Sequence, residues 1–287
     1  MNLLNKIILS GVLLSTSATA EIVAHWTLDN SLQDISGNGY HLLQSQNDNG
    51  ADVVFSPETQ AGSIYSQSAY FSSGAHLATP LSSTEAGIRE GFSFSFWFNY
   101  DHENRVSAGW AATGYDPADW AFLDFDRSEN FMVAPTVDGR IQFSMSTTNA
   151  MYDYYSDSSL VNDGGWHHLF GSYGQNDGLS IYLDGMVIIQ DSFRGLLKEE
   201  MRTRYGLLGQ GSEADVVDGT HNGLGYTGYL SDVTLWNNEV DDHAMAASSL
   251  LSGGNYYDIN EIEYIREVPV PALGLSLFGL FFCRRKR

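Results

Sequence analysis

The sequence is poor in cysteine, proline and basic side chains. Among its 287 residues are 1 Cys and 6 Pro, and 14 Lys+Arg stand against 35 Asp+Glu, for a net charge of -21. A single cysteine excludes a disulfide within the chain, so a folded domain has to be stabilised by its core or by bound metal. The acidic balance repels phosphate and therefore argues against nucleic acids and anionic lipid surfaces as partners.

Apolar and aromatic residues, by contrast, are plentiful. Hydrophobic residues make up 43% of the chain and aromatics 13%, which is enough for a substantial core and excludes disorder over most of the length. With 29 Gly, 16 Tyr and 15 Phe, the composition favours short strands joined by turns. The length allows one large domain or two small ones.

The N-terminus has the three regions of a secretory signal peptide. Lys6 supplies a positive charge, Ile7–Leu14 is apolar, and Ala18-Thr19-Ala20 forms a small-x-small cleavage site before Glu21. The alternative is a buried N-terminal strand or helix. We expect residues 1–20 to be a signal peptide and the remainder to be exported.

The C-terminus combines a proline motif, an apolar segment and a basic cluster. The apolar residues 272–283 would span only ~18 Å as a helix, against a hydrocarbon core of ~30 Å. They predict a short apolar helix, with the basic cluster on the cytoplasmic side and the preceding domain outside.

This tail resembles the PEP-CTERM and VPxPA-type sorting signals of Gram-negative bacteria, although the acidic residue of the PEP form is missing. The resemblance implies an exosortase-type processing enzyme as partner, transient or retained membrane anchoring through 272–283, and delivery to the cell envelope, outer surface or extracellular matrix. An ordinary short membrane anchor is the alternative. The residues that match the motif are Val268, Pro269, Pro271, Ala272, Arg284 and Arg285.

The middle of the chain alternates with the period of β-strands. Phe92–Phe98 places four phenylalanines on one face and Ser93, Ser95 and Trp97 on the other. Asp184-Gly185 between two apolar runs predicts a two-residue hairpin. Many short strands and few helices predict one antiparallel β-sandwich over 21–253, followed by a polar spacer at 254–267 and the sorting tail at 268–287.

Several of these segments together resemble LamG-like (concanavalin A-like) jelly-roll domains, in the order expected. The resemblance implies an all-β jelly-roll sandwich, but this fold hosts lectins, structural modules and enzymes alike. The matching segments are Val23–Asp29 with the turn Asp34–Gly39, the strand Phe92–Phe98, Gly165–Leu169 with the hairpin Leu179–Gly185, and the closing Gly228–Trp236.

The resemblance also implies a structural Ca²⁺ that ties the first turn to the closing strand. The predicted ligands are Asp29, Asp34, Asn38 and Asp232, which offer the carboxylate and amide oxygens that calcium prefers. The alternative is a plain polar turn, because Asp, Asn and Gly are common turn residues in any case.

Aromatic residues in loop-like segments are candidates for sugar binding. Trp110, Tyr115 and Trp120 lie in one such segment, and Tyr152 and Tyr154 lie in another. Exposed aromatic faces bury the apolar surface of sugar rings while their polar edges stay wet. The alternative is that these rings belong to the core or its rim.

Two carboxylates are the candidates for a catalytic role. Asp124 and Asp126 share one face of a predicted strand and resemble the E-x-D-x-x-E strand of laminarinase-type glycosidases, with Asp in place of the first Glu. We assign no catalytic residue. The sequence favours non-catalytic, calcium-stabilised binding of a glycan or of extracellular matrix. The alternatives are a polysaccharide-degrading glycosidase or lyase, or a purely structural matrix protein.

Overall fold

The computed structural model describes residues 20–46, 52–72, 74–101, 121–136, 138–157, 160–198, 203–221 and 225–240. These residues form fifteen strands and one short helix. Residues 1–19 of the predicted signal peptide, the spacer and the predicted sorting tail with its apolar helix lie outside the described residues.

The strands form two antiparallel sheets. The first sheet has eight strands: β1 (Ile22–Trp26), β3 (Val54–Ser56), β4 (Ser68–Phe71), β6 (Gly91–Tyr100), β11 (Trp166–Gly174), β12 (Gly178–Leu183), β13 (Met186–Asp191) and β15 (Gly228–Trp236). The second has seven: β2 (Leu43–Gln44), β5 (Leu77–Ser82), β7 (Leu123–Asp124), β8 (Phe131–Pro135), β9 (Ile141–Ser146), β10 (Met151–Tyr155) and β14 (Tyr205–Leu208).

The order of strands joins the beginning of the described chain to its end. The eight-stranded sheet runs β13-β12-β11-β6-β15-β4-β3, and β1 also pairs with β15. The seven-stranded sheet runs β10-β9-β8-β7-β14-β5-β2. This arrangement confirms the predicted all-β, concanavalin A-like sandwich.

The core between the two sheets follows the alternation in β6. Phe92, Phe94, Phe96 and Phe98 are at most 1% exposed and pack against the facing sheet, where Phe131 stacks on Phe92 at a centroid distance of 4.2 Å. Burying each such ring stabilises the fold by about 1.5–3 kcal/mol.

Two local elements show how the sequence sets the backbone. Asp184 and Gly185 have φ of 51° and 77° between β12 and β13, so the predicted two-residue hairpin is confirmed. The helix α1 (Ser83–Ala86) was not predicted. It begins at a capping box in which Ser82 and Glu85 exchange hydrogen bonds.

Across the described part of the chain, no helix combines the length and apolar character required to span a membrane.

Candidate functional site

The opening turn is organised by the side chain of Asp34, which is 6% exposed. Its carboxylate accepts hydrogen bonds from the backbone N–H groups of His25, Ser36 and Tyr40 at 2.9–3.0 Å, and from the Ser36 hydroxyl at 2.9 Å. Burial alone would raise the pKa of Asp34, but these donors outweigh it and hold the pKa below the ordinary 3.8. Asp34 is therefore ionised, and its carboxylate holds three backbone N–H groups of this region together.

Asp232 meets the same region from the closing strand. Its backbone has a φ of 57° at the irregularity in β15, and its N–H donates to the carbonyl of Thr27 at 3.1 Å. The carboxylate Oδ1 lies 2.8 Å from Nε2 of His25 and accepts the hydroxyl of Tyr65 at 3.1 Å. His25 thus bonds Asp34 through its backbone and Asp232 through its ring, which fastens the first strand to the last.

The side chains of Asn38 and Asp29 form hydrogen bonds to two different neighbouring segments. The Asn38 amide donates to the carbonyls of Ile22 and Val23 at 3.0 and 2.9 Å, which ties the turn to β1. Asp29 Oδ1 accepts the N–H and hydroxyl of Ser66 and the N–H of Gln67. Asp29 therefore holds a different loop from the one that Asp34 holds.

These contacts bear on whether the predicted calcium ligands fit a metal. Both oxygens of Asp34 already accept N–H and O–H donors, and Asp232 Oδ1 accepts Tyr65 and contacts His25. Among the residues that the structure describes, no group of three or more His, Cys, Asp or Glu is placed to hold a metal ion. The arrangement supplies hydrogen bonds at the place where the resemblance implies an ion, and the calcium site stays a prediction.

Of the predicted sugar-binding residues, Trp110, Tyr115 and Trp120 lie outside the described residues. Tyr152 and Tyr154 lie on β10, at the edge of the seven-stranded sheet, and both are half-buried. Their rings stack on Phe193 with centroid distances of 4.4 and 5.8 Å, and the hydroxyl of Tyr154 donates to Asp191 at 3.1 Å. These two rings close the edge of the sandwich while keeping part of their surface exposed.

The carboxylates that resembled a glycosidase strand are both buried. Asp124 is 1% exposed, accepts the N–H of Ser212 at 2.9 Å, and has its pKa raised well above the ordinary value by burial. Asp126 has a φ of 67°, and its Oδ2 lies 2.7 Å from Nε of Arg204. Its Oδ1 accepts the N–H and hydroxyl of Ser128. Asp126 is thus an ion-paired turn residue.

The outer face of the eight-stranded sheet is divided into two halves. In one half Phe170, Tyr182 and Trp236 form a buried cluster with Ala20 and Val240, and we call this the covered half. The segment after β15 crosses it. The Ser93 hydroxyl donates to the carbonyl of Asn238, and the N–H of Val240 donates to the Ser93 hydroxyl, both at 3.0 Å.

The other half carries a line of half-buried side chains, which we call the aromatic row: Tyr70, Tyr229, Asn99 and Trp166. Each is the direct cross-strand partner of the next, on β4, β15, β6 and β11. Ring centroids are 4.8 Å apart for Tyr70 and Tyr229, and 5.9 Å apart for Trp166 and Tyr229. Sequence analysis missed this row, because only the pairing of distant strands aligns its members.

Comparison with known proteins identifies the fold. The family described as the concanavalin A-like lectin/glucanases superfamily (Laminin_G_3) matches residues 71–244. A comparison with curated protein sequences found no match.

Among solved structures, the binding domain of Paraclostridial Mosquitocidal Protein 1 is similar, with a TM-score of 0.57 at 12% identity over 81% of this chain and 52% of that one. The binding domain of Botulinum Neurotoxin DC in complex with SialylT has a TM-score of 0.56 at 15% identity, over 83% and 52%. The chain spans about half the length of these structures. At such identities the likeness shows a shared fold.

Proposed function

The chain belongs to the concanavalin A-like lectin/glucanase superfamily, and we propose that it is an exported, non-catalytic carbohydrate-binding protein of a bacterial surface or matrix. Family membership over residues 71–244 supports the fold, and the partly exposed aromatic side chains are the observation that carries the binding function. Members of this fold carry unrelated functions, so the choice among them rests on the chemistry of the described side chains.

The geometry of the two candidate carboxylates favours binding over hydrolysis. A retaining glycosidase needs a free nucleophilic carboxylate about 5–5.5 Å from a carboxylic acid. Asp126 is engaged by Arg204 and Ser128, so neither of its oxygens is free to attack a sugar. Asp124 is buried and held by Ser212, which makes it a structural acid of the sheet.

Partly exposed aromatic rings supply the kind of surface that sugars contact. Tyr152 and Tyr154 on the sandwich edge, and the aromatic row on the outer face, leave ring surface accessible. In this fold, one solved relative is a toxin binding domain in complex with SialylT. The strongly negative charge of the present chain favours neutral glycans over acidic ones.

The proposed location rests on the two ends of the sequence. Residues 1–20 have the features of a signal peptide, and residues 268–287 resemble a sorting tail for an exosortase-type enzyme. Together they favour delivery of the domain to the envelope, outer surface or matrix of a Gram-negative cell. Mass spectrometry of the C-terminal peptide, from the native host, tests whether the tail is removed.

The function is tested by presenting the purified full-length chain with an array of neutral and acidic glycans, and by assaying the same glycans for release of reducing sugar. We expect retention of neutral glycans without release of product. Release of reducing sugar would establish a hydrolase instead, and an array without retained glycans would favour a structural matrix protein.

Calcium dependence is tested separately, by melting the chain in calcium and in chelator. A ligand that binds only the folded state raises its melting temperature. If the ion implied by the resemblance is bound, the chain should melt at a higher temperature in calcium than in chelator, whereas coincident curves would mean that the turn is held by the hydrogen bonds to Asp34 without a metal. A higher melting temperature in calcium would support the metal site implied by the resemblance.

A further inference from the structure

We propose that the aromatic row on the outer face of the eight-stranded sheet is a binding platform for a neutral glycan chain. The proposal rests on the carbohydrate-binding function above and assigns that binding to the residues of the aromatic row. No residue of this row was among the sites predicted from the sequence.

The sheet itself sets the spacing of the row. Neighbouring strands lie about 4.8 Å apart, and direct cross-strand partners point to the same face. Tyr70, Tyr229, Asn99 and Trp166 therefore form a line perpendicular to the strands. Interplanar angles of 49° and 41° between neighbouring rings show that they are tilted against one another. Tyr70, Tyr229 and Trp166 are only half-buried, so part of their surface stays available to an elongated ligand.

Polar groups along the row suit the hydroxyl groups of a sugar. The Asn99 side chain donates to the carbonyl of Gly164 at 3.0 Å, which fixes the amide of the residue that pairs with both Tyr229 and Trp166. The Tyr70 hydroxyl is protonated at neutral pH, as in an ordinary tyrosine, and burial together with the negative charge of Asp101 raises its pKa further. Rigid aromatic faces flanked by fixed donors and acceptors are the usual composition of a sugar subsite.

The charge of the site selects the class of glycan. No basic residue belongs to the row, Asp101 acts on Tyr70 at one end, and the whole chain carries a net charge of -21. An acidic polysaccharide would be repelled by this field, whereas a neutral one is not. The occupant is therefore a glycan of uncharged sugar units.

The covered half of the same face argues against a peptide occupant. There the crossing segment approaches closely because Gly91 and Gly174 lie beneath it. A Cβ at Gly91 would lie 3.2 Å from the backbone nitrogen of Glu239, and a Cβ at Gly174 would collide with the Glu239 side chain. Ser93 and Ser172 bond its backbone. The aromatic row has bulky rings in place of these small residues, which suits a ligand that lies on top of side chains.

The test is to titrate the full-length chain with the neutral oligosaccharides that the array retains, using wild type, Trp166→Ala and Tyr229→Ala. We expect at least tenfold weaker binding by each alanine variant, and near wild-type binding by Tyr229→Phe, since the phenyl face is kept. Circular dichroism and urea unfolding of every variant establish that a loss of binding is not a loss of fold.

Tyr205→Ala is the matched control and should bind as wild type does, because Tyr205 is also a half-buried tyrosine but lies on β14 of the other sheet. Unchanged affinity in the row variants, with wild-type binding intact, would overturn the platform and leave the proposed function standing. Wild type that binds no glycan at all would overturn both. A dimer of the wild type in light scattering that Trp166→Ala dissociates would also overturn the platform, by identifying a second copy as its occupant.

Discussion

The two halves of the outer face of the eight-stranded sheet are built from the same strands and differ in what lies on them. Over the covered half, residues 237–240 and the start of β1 bury Phe170 and Trp236 completely. Over the other half, Tyr229 and Trp166 keep part of their surface exposed. The strands β6, β11 and β15 pass through both halves.

Because of this difference, we assign stability to the covered half and ligand recognition to the aromatic row of the same surface. A ring that is fully buried contributes its whole transfer free energy to folding, so removing it strongly lowers the free energy of unfolding. A ring that stays half-exposed contributes less and remains able to bury further surface against a ligand. We therefore expect substitutions in the covered half to lower the free energy of unfolding, and substitutions in the aromatic row to lower affinity.

The largest expected effect is that of Trp236→Ala in the covered half. Removing a fully buried tryptophan leaves a cavity in its cluster with Phe170 and Tyr182, at a cost of about 3–5 kcal/mol. Urea unfolding measures this against wild type. A cost equal to that of Tyr229→Ala would contradict the division into two halves.

Asp34→Ala is expected to cost about 3 kcal/mol, since it leaves buried N–H groups of the opening turn without their acceptor. This turn supports Ile22, which packs against the covered half, through Asn38. Chemical denaturation tests the loss. An unchanged midpoint would show that the turn is not held by Asp34.

The pH dependence of stability gives a second measure of Asp34. Its folded pKa is lowered, so the stability that it contributes is present above the unfolded value of 3.8 and is lost as pH falls through the folded pKa. Wild type should therefore lose stability more steeply than Asp34→Asn as the pH is lowered below about 4. Parallel curves would contradict an ionised Asp34.

Ser93→Ala is expected to cost about 1–2 kcal/mol, because it removes the hydroxyl that bonds Asn238 and Val240. Hydrogen exchange of the Val240 amide should become faster in this variant. Ser95→Ala is a matched control on the same face of β6, since the Ser95 hydroxyl contacts His168 instead of the crossing segment. Equal acceleration of Val240 exchange in both variants would contradict the role of the Ser93 hydroxyl in holding the crossing segment.

The smallest expected effect on stability is that of Trp166→Ala, within about 1 kcal/mol of wild type, as is usual for partly exposed sites outside the core. Thermal unfolding checks it. A loss comparable to that of Trp236→Ala would mean that the aromatic row is part of the core.

Local sequence signals predicted the parts of this fold that depend on neighbouring residues. Alternation predicted the inward phenylalanines of β6, and Asp184-Gly185 predicted its hairpin, because strand period and turn conformation are local properties. Ser82 and Glu85 also have the spacing of a capping box, which is a local signal for the start of α1.

Long-range pairing was beyond the reach of such signals. Tyr70 and Tyr229 are cross-strand partners although they are 159 positions apart in the sequence, and only the strand order aligns them. The first turn shows the same limit. Its composition is the same for a calcium site and for a hydrogen-bonded turn, and it did not predict the N–H donors that surround Asp34.

The most direct test of this account measures affinity and stability together in one variant from each half. Isothermal titration with a retained neutral oligosaccharide, paired with urea unfolding, should show that Tyr229→Ala loses binding and keeps its stability, while Ser93→Ala loses stability and keeps its binding. If Tyr229→Ala binds as wild type does, or if Ser93→Ala is the variant that loses affinity, the assignment of recognition to the aromatic row is contradicted.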